Sequence, residues 1–251
     1  MVYRMLVAAC VLSASLGAQW LDYPTAGIPR TKDGKANLTA PAPKSSDGKP
    51  DLSGIWRGGG SGRYLANLAA DGIDVQMLPW AAALYQERQE NFGKDRPSGN
   101  CLPHSVTDFD AHGMPKKLIQ VPGVIVMLFE SYHSYRQIFT DGRPHPRNPD
   151  PAWFGYSVGK WEGDALVVET TGVHEKTWLD DGGHPHSAAL RIIERFRRRD
   201  FGHLDVQVTI DDPKTYAKPW GVTIPWEFVP DTELLDWVCE NNKDPAHMVG
   251  K

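Results

Sequence analysis

Strict alternation of apolar and polar side chains near the C-terminus constrains the fold more than any other feature of this chain. In residues 204–210, LDVQVTI, each even-numbered residue is apolar and each odd-numbered residue is polar. The same period returns in Trp220, Val222, Ile224, Trp226 and Phe228. Because successive side chains of a β-strand point to opposite faces, both segments are predicted to be strands with their even-numbered residues buried. The interior is therefore expected to be broad and aromatic.

Residues 153–196 predict antiparallel sheet with a polar loop at one rim. Strand patterns at Gly155–Trp161 and Ala165–Thr171 flank a tight turn, and a His/Asp-rich loop then leads to a strand at Ala188–Arg198. Further strands are predicted at Gly123–Ser131, Ser134–Thr140, Leu204–Ile210, Ala217–Val229 and Glu233–Cys239, the last with a helix as its alternative. About eight to ten such strands predict a mainly β fold, an antiparallel up-and-down barrel; the alternative is an open two-sheet β-sandwich.

The other segments divide the chain into a leader, an arm and one domain. Residues 1–18 combine a cation, an apolar run and small residues, which predicts a cleaved signal peptide and a secreted or periplasmic protein. Residues 19–50 are rich in Pro, Gly and charge, and they predict an extended arm with two similar turns at Asp33-Gly34-Lys35 and Asp47-Gly48-Lys49. Residues 51–251 form the predicted single barrel domain.

One helix is predicted in that domain, at Leu78–Gly93. Pro79 suits its first position, Gly93 suits its end, and its apolar residues are expected to share one side that covers the sheet. Asn91–Met114 is expected to be an irregular loop, either pinned by Cys101 or part of a pocket lid. In an oxidising compartment Cys101 and Cys239 can pair; the alternative is two separate buried thiols.

Charge and hydropathy exclude two classes of partner. The formal net charge is −4, so no basic surface suited to nucleic acid dominates. No later segment approaches the roughly twenty apolar residues that a membrane-spanning helix needs. The expected partner is a small-molecule ligand, and the sequence leaves the oligomeric state open.

Glu194 is the most informative candidate for chemistry. On its predicted strand, its side chain points to the same face as those of the apolar Ile192 and Phe196. A carboxylate on a buried face must find a partner or hold its proton. We therefore expect either a salt bridge with Arg136 or a role as general acid, general base or metal ligand.

The His/Asp-rich loop holds the second set of candidates. In His184-Pro185-His186 an extended backbone directs both imidazoles to the same side. With Asp181, or with a histidine from another strand, they would complete a three-ligand site for a divalent metal with one position open. General acid/base chemistry and an inert rim loop are the alternatives.

The polar run at residues 130–136, ESYHSYR, is the third set. If this corner lies at the same end of the barrel as the loop, His133, Tyr135 and Arg136 would face Glu194 and His186 across the mouth. Such groups suit an oxygen-rich or anionic substrate. The alternative is a polar bend whose tyrosine rings cover the core.

Two resemblances add to this interpretation. Gly54-Ile55-Trp56 resembles the Gly-x-Trp that opens the first strand of many lipocalin-like barrels, where the Trp plugs the closed end. The mature chain also resembles a group of exported bacterial proteins, abundant in soil lineages and without an established activity. The shared runs are DLSGIW (51–56), RQIFTDGR (136–143), WEGDALVVET (161–170) and HPHS (184–187). This resemblance implies export and a β-rich domain, and it carries over no catalytic residue.

Three functional hypotheses follow. The first is a secreted lyase, isomerase or hydrolase that uses general acid/base catalysis, with Glu194 and His186 as proton-transfer pair and His133 as a further catalytic residue. Substrate binding is assigned to Tyr135, Arg136, Trp178, Asp181, Trp220 and Trp226. The second hypothesis is a non-catalytic carrier of an apolar or aromatic ligand. The third is an envelope interaction protein that works through its arm.

Overall fold

A closed β-barrel forms the body of the protein. The computed structural model describes residues 24–60, 62–235, 237 and 239, so the predicted signal peptide lies outside the described residues. Nine strands form the barrel: β1 (Gly54–Gly58), β2 (Lys116–Val121), β3 (Val124–Phe129), β4 (Tyr135–Phe139), β5 (Tyr156–Glu162), β6 (Ala165–Thr171), β7 (Arg191–Arg198), β8 (His203–Asp211) and β9 (Trp220–Phe228). Each strand pairs with the next, and β9 pairs with β1. This closure excludes the open sandwich.

One pair of neighbouring strands departs from the up-and-down pattern. β4 and β5 run parallel, and only Ile138–Ser157 and Phe139–Val158 are in register. The other eight neighbouring pairs are antiparallel. A parallel pair needs a connection that crosses back to the starting end, and the Pro-rich residues 140–155 provide it. The all-antiparallel expectation is therefore wrong at this one position.

The predicted parity of the strands is confirmed. Leu204, Val206, Val208 and Ile210 are completely buried, as are Trp56 and Trp226. The indole Nε1–H of Trp56 donates to the carbonyl of Leu52 at 3.0 Å, so this ring is fixed at the end where the arm enters the barrel. The lumen is therefore filled by side chains.

The arm packs on one end of the barrel. Its carbonyl groups at Leu38 and Ala40 accept hydrogen bonds from Gly202 and Phe201, at 2.7 and 2.8 Å. The two predicted turns are confirmed as near copies, since Gly34 N–H donates to Thr31 at 3.0 Å and Gly48 N–H donates to Ser45 at 2.9 Å. From residue 24 onward, the arm is thus part of the barrel's packing.

Helices and loops close the opposite end. The described residues contain the α-helices α1 (Arg63–Ala66), α2 (Pro79–Glu90) and α3 (Val106–Ala111). The position of α2 agrees with the prediction, but the apolar side does not: Ala81 is its buried residue and Trp80 is 45% exposed. α3 is buried along its whole length.

The sequence analysis missed α3, which lies inside the predicted irregular loop. Ser105 caps the helix, because its hydroxyl oxygen accepts a hydrogen bond from Thr107 N–H at 3.3 Å. The spacing Ser105-x-x-Asp108 is typical of a helix start and is the signal that could have found it. The loop is also pinned as expected, by a disulfide between Cys101 and Cys239.

The predicted strand at Glu233–Cys239 is wrong for its described residues. Glu233–Leu235 have no regular secondary structure, and Leu235 N–H donates to the Glu130 carboxylate at 2.9 Å. The segment therefore runs along the outside of the barrel to its disulfide. In the described part of the chain, no helix has the length and apolar character required to cross a membrane.

Removal of the disulfide should lower stability substantially. We expect the Cys101→Ser, Cys239→Ser double variant to lose about 2–4 kcal/mol of unfolding free energy, since the bond closes a long loop. Urea denaturation without reductant measures this difference. Wild-type protein kept in reductant is the matched control and should unfold with the variant; equal midpoints for the variant and the oxidised protein would contradict the expectation.

Candidate functional site

The predicted site residues divide among three places in the fold. The first is a network inside the lumen, which we call the lumen network: Arg136, Glu194, Ser157 and Thr170. The second is an opening in the barrel wall where β4 and β5 separate, which we call the seam cleft. The third is the rim loop, residues 172–190, which connects β6 to β7 at the end that the helices close.

The lumen network is a buried ion pair in which four of the five arginine N–H groups donate to oxygen atoms, and the remaining one points to the Met127 sulfur, 4.0 Å from Nη1. Arg136 Nη1 donates to Glu194 Oε1 at 2.7 Å, and Nη2 donates to Glu194 Oε2 and to the Thr170 hydroxyl. Arg136 Nε donates to the Ser157 hydroxyl at 3.1 Å. Glu194 is fully buried and Arg136 is 3% exposed. The salt bridge, one of the two alternatives for Glu194, is therefore present.

The expected arrangement across the mouth is only partly present. Arg136 faces Glu194, but Tyr135 is 62% exposed and points away from the lumen because it has the opposite parity. Glu194 and His186 share no hydrogen bond in the described residues; their partners are different. The structure therefore does not pair these two side chains for proton transfer.

Two lumen residues were missed by the sequence analysis. Asp110 of α3 is fully buried, and within the described residues neither carboxyl oxygen has a hydrogen-bond partner. Burial and the neighbouring Glu194 raise the pKa of Asp110 well above its usual value. Lys116 donates to the carbonyl of His112 at 3.2 Å and lies 4.3 Å from the ring centre of Trp226.

Burial lowers the pKa of Lys116 to about 7, against the opposing effect of Asp110. The burial of Lys116 could have been predicted from its spacing, because it lies two residues before the apolar Leu118 and therefore on the same face of β2. Trp226, predicted as part of a substrate-binding wall, is instead fully buried, and its Nε1–H donates to the carbonyl of Asp110 at 2.8 Å. This ring thus belongs to the packing between α3 and the lumen.

The seam cleft is the place where three predicted residues come together. Its volume is about 530 Å³, and its lining includes His133, Tyr135 and Arg136. Aromatic side chains dominate its walls: Tyr135, Phe139, Trp153, Phe154 and Tyr156. Arg136 and Ser157, joined by their hydrogen bond, lie at its base.

The walls of the seam cleft are held in place from several sides. Phe139 stacks on Tyr156 with 5.2 Å between ring centres, and Phe154 packs against Phe109 of α3 at 4.6 Å. At one edge, Tyr132 and His133 both have positive φ, 59° and 47°. Left-handed backbone at two successive non-glycine residues is strained, and such strain is concentrated at functional sites.

The histidines of the rim loop are engaged in structural contacts. His184 Nδ1 lies 2.5 Å from the Asp180 carboxylate. His186 Nδ1–H donates to the carbonyl of Ser187 at 3.1 Å, so its Nε2 accepts from the Thr177 hydroxyl at 2.7 Å. Burial also lowers the pKa of His186, which keeps the ring neutral. Both ring nitrogens of His186 therefore have protein partners, which leaves neither of them for a metal or a substrate proton.

The predicted divalent-metal site at His184 and His186 is therefore not found. Asp181, its expected third ligand, instead bonds His104 Nε2 at 2.7 Å and Ser98 at 3.1 Å. Among the residues that the structure describes, no group of three or more His, Cys, Asp or Glu side chains has the arrangement of a metal site. A buried loop needs partners for its polar groups, and these side chains provide them.

The two remaining predicted residues, Trp178 and Trp220, are buried near the rim loop. The Arg88 guanidinium lies 4.0 Å from the ring centre of Trp178. Trp220 packs beside His184, with 5.4 Å between ring centres, and its Nε1–H is buried without a hydrogen-bond partner in the described chain. Neither ring lines the seam cleft.

Fold and site together define a class of protein: a closed, filled β-barrel with an aromatic cleft in its wall. Comparisons with protein-family models, with curated proteins and with solved structures give no match. The geometry of the chain therefore carries the functional argument.

Removal of one partner of the lumen ion pair should be strongly destabilising. We expect Glu194→Ala to lower the unfolding free energy by about 3–5 kcal/mol, because the Arg136 charge stays buried without compensation. The double variant Arg136→Met, Glu194→Leu should recover most of this loss. Urea denaturation gives both values.

Glu169→Ala is the control for this experiment. Glu169 lies on the neighbouring strand β6 and pairs with Arg191 at the surface, at 3.1 Å. Such exposed pairs contribute at most about 1 kcal/mol. A loss at Glu194 no larger than the loss at Glu169 would show that the ion pair does not hold the lumen together.

Lys116 should give the protein a measurable dependence of stability on pH. Folded Lys116 loses its proton above pH about 7, whereas the unfolded chain keeps it up to about 10.5. The unfolded state then binds more protons across this window, so the unfolding free energy rises with pH by up to about 1.4 kcal/mol per unit. Lys116→Met should remove the rise, as measured by urea denaturation between those pH values. Lys117→Met, at an outward residue paired with Glu233, should leave it; a rise that survives in Lys116→Met would disprove the assignment.

Proposed function

We propose that the protein binds a small, ring-shaped, uncharged organic molecule in the seam cleft. The observation that carries this proposal is the lining of the cleft: five aromatic side chains around a space of about 530 Å³. That volume lies within the range of small-molecule sites, which are mostly apolar with a few polar groups. The flat face of a ring fits such walls by stacking.

The fixed positions of the wall residues support binding. The base is tied to β6 and β7 through Thr170 and Glu194, and the rings of Phe139 and Phe154 are packed on their neighbours. Little side-chain freedom is lost when a ligand enters such a site, so more of the contact energy appears as affinity.

The charge balance at the base favours an uncharged ligand. Arg136 was expected to attract an anionic substrate, but its guanidinium is neutralised by Glu194 and its N–H groups are used. The polar groups that remain in the lining are neutral ones, such as the Gln137 amide and the Ser134 hydroxyl. A ligand with hydroxyl or carbonyl groups on a flat ring matches this set.

This proposal is a form of the carrier hypothesis, with the ligand in the wall of the barrel. The lumen positions are occupied by buried side chains such as Trp56 and Trp226. We favour ligand binding over catalysis because Glu194 and His186 form hydrogen bonds to other residues of the protein. His133 lines the cleft and stays the candidate for proton transfer to a bound molecule.

Export is part of the same proposal. Disulfides form in oxidising compartments, so the Cys101–Cys239 bond supports the secretion predicted from the leader. The arm hypothesis is less favoured, because the described arm residues pack on the barrel. We therefore infer a secreted or periplasmic ligand-binding protein.

Ligand binding can be tested with neutral ring compounds. We expect indole, methyl 4-hydroxybenzoate or 4-hydroxyacetophenone to bind, detected by saturation-transfer NMR, and Tyr135→Ala to weaken the binding at least tenfold. Tyr135 is exposed in the free protein, so this change removes a wall of the cleft without disturbing the core.

Phe92→Ala is the matched control, because Phe92 is an exposed aromatic residue that follows α2 and lies outside the cleft. Its affinity for the same probes should equal that of the wild type. Failure of all three probes to bind, or equal losses in the two variants, would exclude the seam cleft as the binding site.

A further inference from the structure

We propose a second ligand site, independent of the seam cleft, in which Arg88 binds the carboxylate of a small organic acid with an apolar body. The site is the space between α2 and the rim loop, which we call the α2 cleft. Its volume is about 570 Å³. α2 contributes Trp80, Leu84 and Arg88 to the lining, and the rim loop contributes Pro185 and His186.

Arg88 is a partly buried cation without a carboxylate partner. In the described residues it forms no ion pair, and one of its five N–H groups, on Nη1, donates to the carbonyl of Gly183 at 2.9 Å. Burial lowers its pKa to about 10. Asp180 of the rim loop, whose charge acts on Arg88, is committed to His184 and to the N–H of Leu68. A cation withdrawn from water without a partner is costly, and an anionic ligand would offset this cost.

The position of Arg88 is fixed before any ligand arrives. Its guanidinium lies over the ring of Trp178 at 4.0 Å. The rim loop can approach it closely because residue 183 is glycine, with φ +92°; a Cβ there would lie 2.9 Å from Arg88 Cδ. The contact with Trp178 and the hydrogen bond to the Gly183 carbonyl hold the planar fork, the geometry that binds a carboxylate through two parallel hydrogen bonds.

The rest of the lining selects the kind of acid. Trp80, Leu84 and Pro185 offer an apolar surface, and His186 adds a neutral ring. Lys214 supplies a second cation, whereas Glu175 carries the opposite charge. The carboxylate is therefore expected at Arg88, with the apolar body against Leu84 and Trp80; Lys214 lies at the Trp80 end, where its carbonyl accepts a hydrogen bond from Trp80 Nε1–H at 2.8 Å. A small, highly hydrated anion such as phosphate would leave that surface unused.

The test compares benzoate with its uncharged analogue benzamide and with inorganic phosphate. The comparison uses Tyr135→Ala protein, in which uptake of the uncharged benzamide by the seam cleft is weakened. We expect benzoate to bind in isothermal titration at least tenfold more tightly than either of the other two, with an affinity that falls as salt rises. Arg88→Met keeps the apolar stem over Trp178 and removes the charge, so it should lose the preference for benzoate over benzamide. Arg88→Lys keeps the charge without the fork and should give an intermediate affinity.

Tyr135→Ala separates this site from the seam cleft. It should leave benzoate binding unchanged, whereas loss of benzoate binding in Tyr135→Ala with none in Arg88→Met would place the ligand in the seam cleft and overturn the proposal. Equal affinities for benzoate and benzamide, phosphate binding as tight as benzoate binding, or no benzoate binding at millimolar concentration would each overturn it as well. Circular dichroism melting of Arg88→Met checks its fold, and Arg88→Lys gives a second reading if that variant is unstable.

Discussion

The ion pair between Arg136 and Glu194 joins β4 to β7 across the inside of the barrel. Both charges are out of contact with water, so the pair is tolerated only because all of its donors and acceptors have partners. Thr170 and Ser157 complete that set from β6 and β5. Four consecutive strands are thereby fixed around one buried charge pair. Large apolar side chains, together with Asp110 and Lys116, fill the remaining lumen space, and α3 closes the end. A ligand therefore has to bind in the wall or at the rim.

The barrel wall opens between β4 and β5, the neighbouring strands that run parallel. β4 and β5 begin at the same end and meet over two residue pairs, so the chain before Ile138 and Ser157 is free to diverge. Aromatic residues from the crossover connection, Trp153 and Phe154, occupy the gap without closing it. The left-handed residues Tyr132 and His133 turn the chain into β4 at the same place. The seam cleft is thus a consequence of barrel topology, and its polar base is the outer side of the lumen network.

Histidine and aspartate are dense in the rim loop because the loop is buried. Asp180 accepts hydrogen bonds from the backbone of Leu68 and of His184, and Thr107 of α3 donates to the carbonyl of Leu179. The polar side chains that suggested a metal or proton-transfer site therefore hold the loop to the helices. Arg88 differs from them, since within the described chain it forms no ion pair, although the charges of Asp180 and Glu87 act on it. Residue type and spacing alone do not distinguish a polar side chain that holds a buried loop in place from one that is available to bind a ligand.

The sequence by itself determined the strands β3 to β9, their inward faces and the burial of Glu194, because a period of two residues directly encodes which side of a strand meets the core. It also determined the start of α2 and the two turns of the arm, which depend on local proline and glycine chemistry. Only the tertiary structure decided that β4 and β5 run parallel, that Asp110 and Lys116 enter the lumen, and which acids the histidines contact. Those contacts join residues far apart in the chain, and local periodicity carries no information about which distant segments meet when the barrel closes.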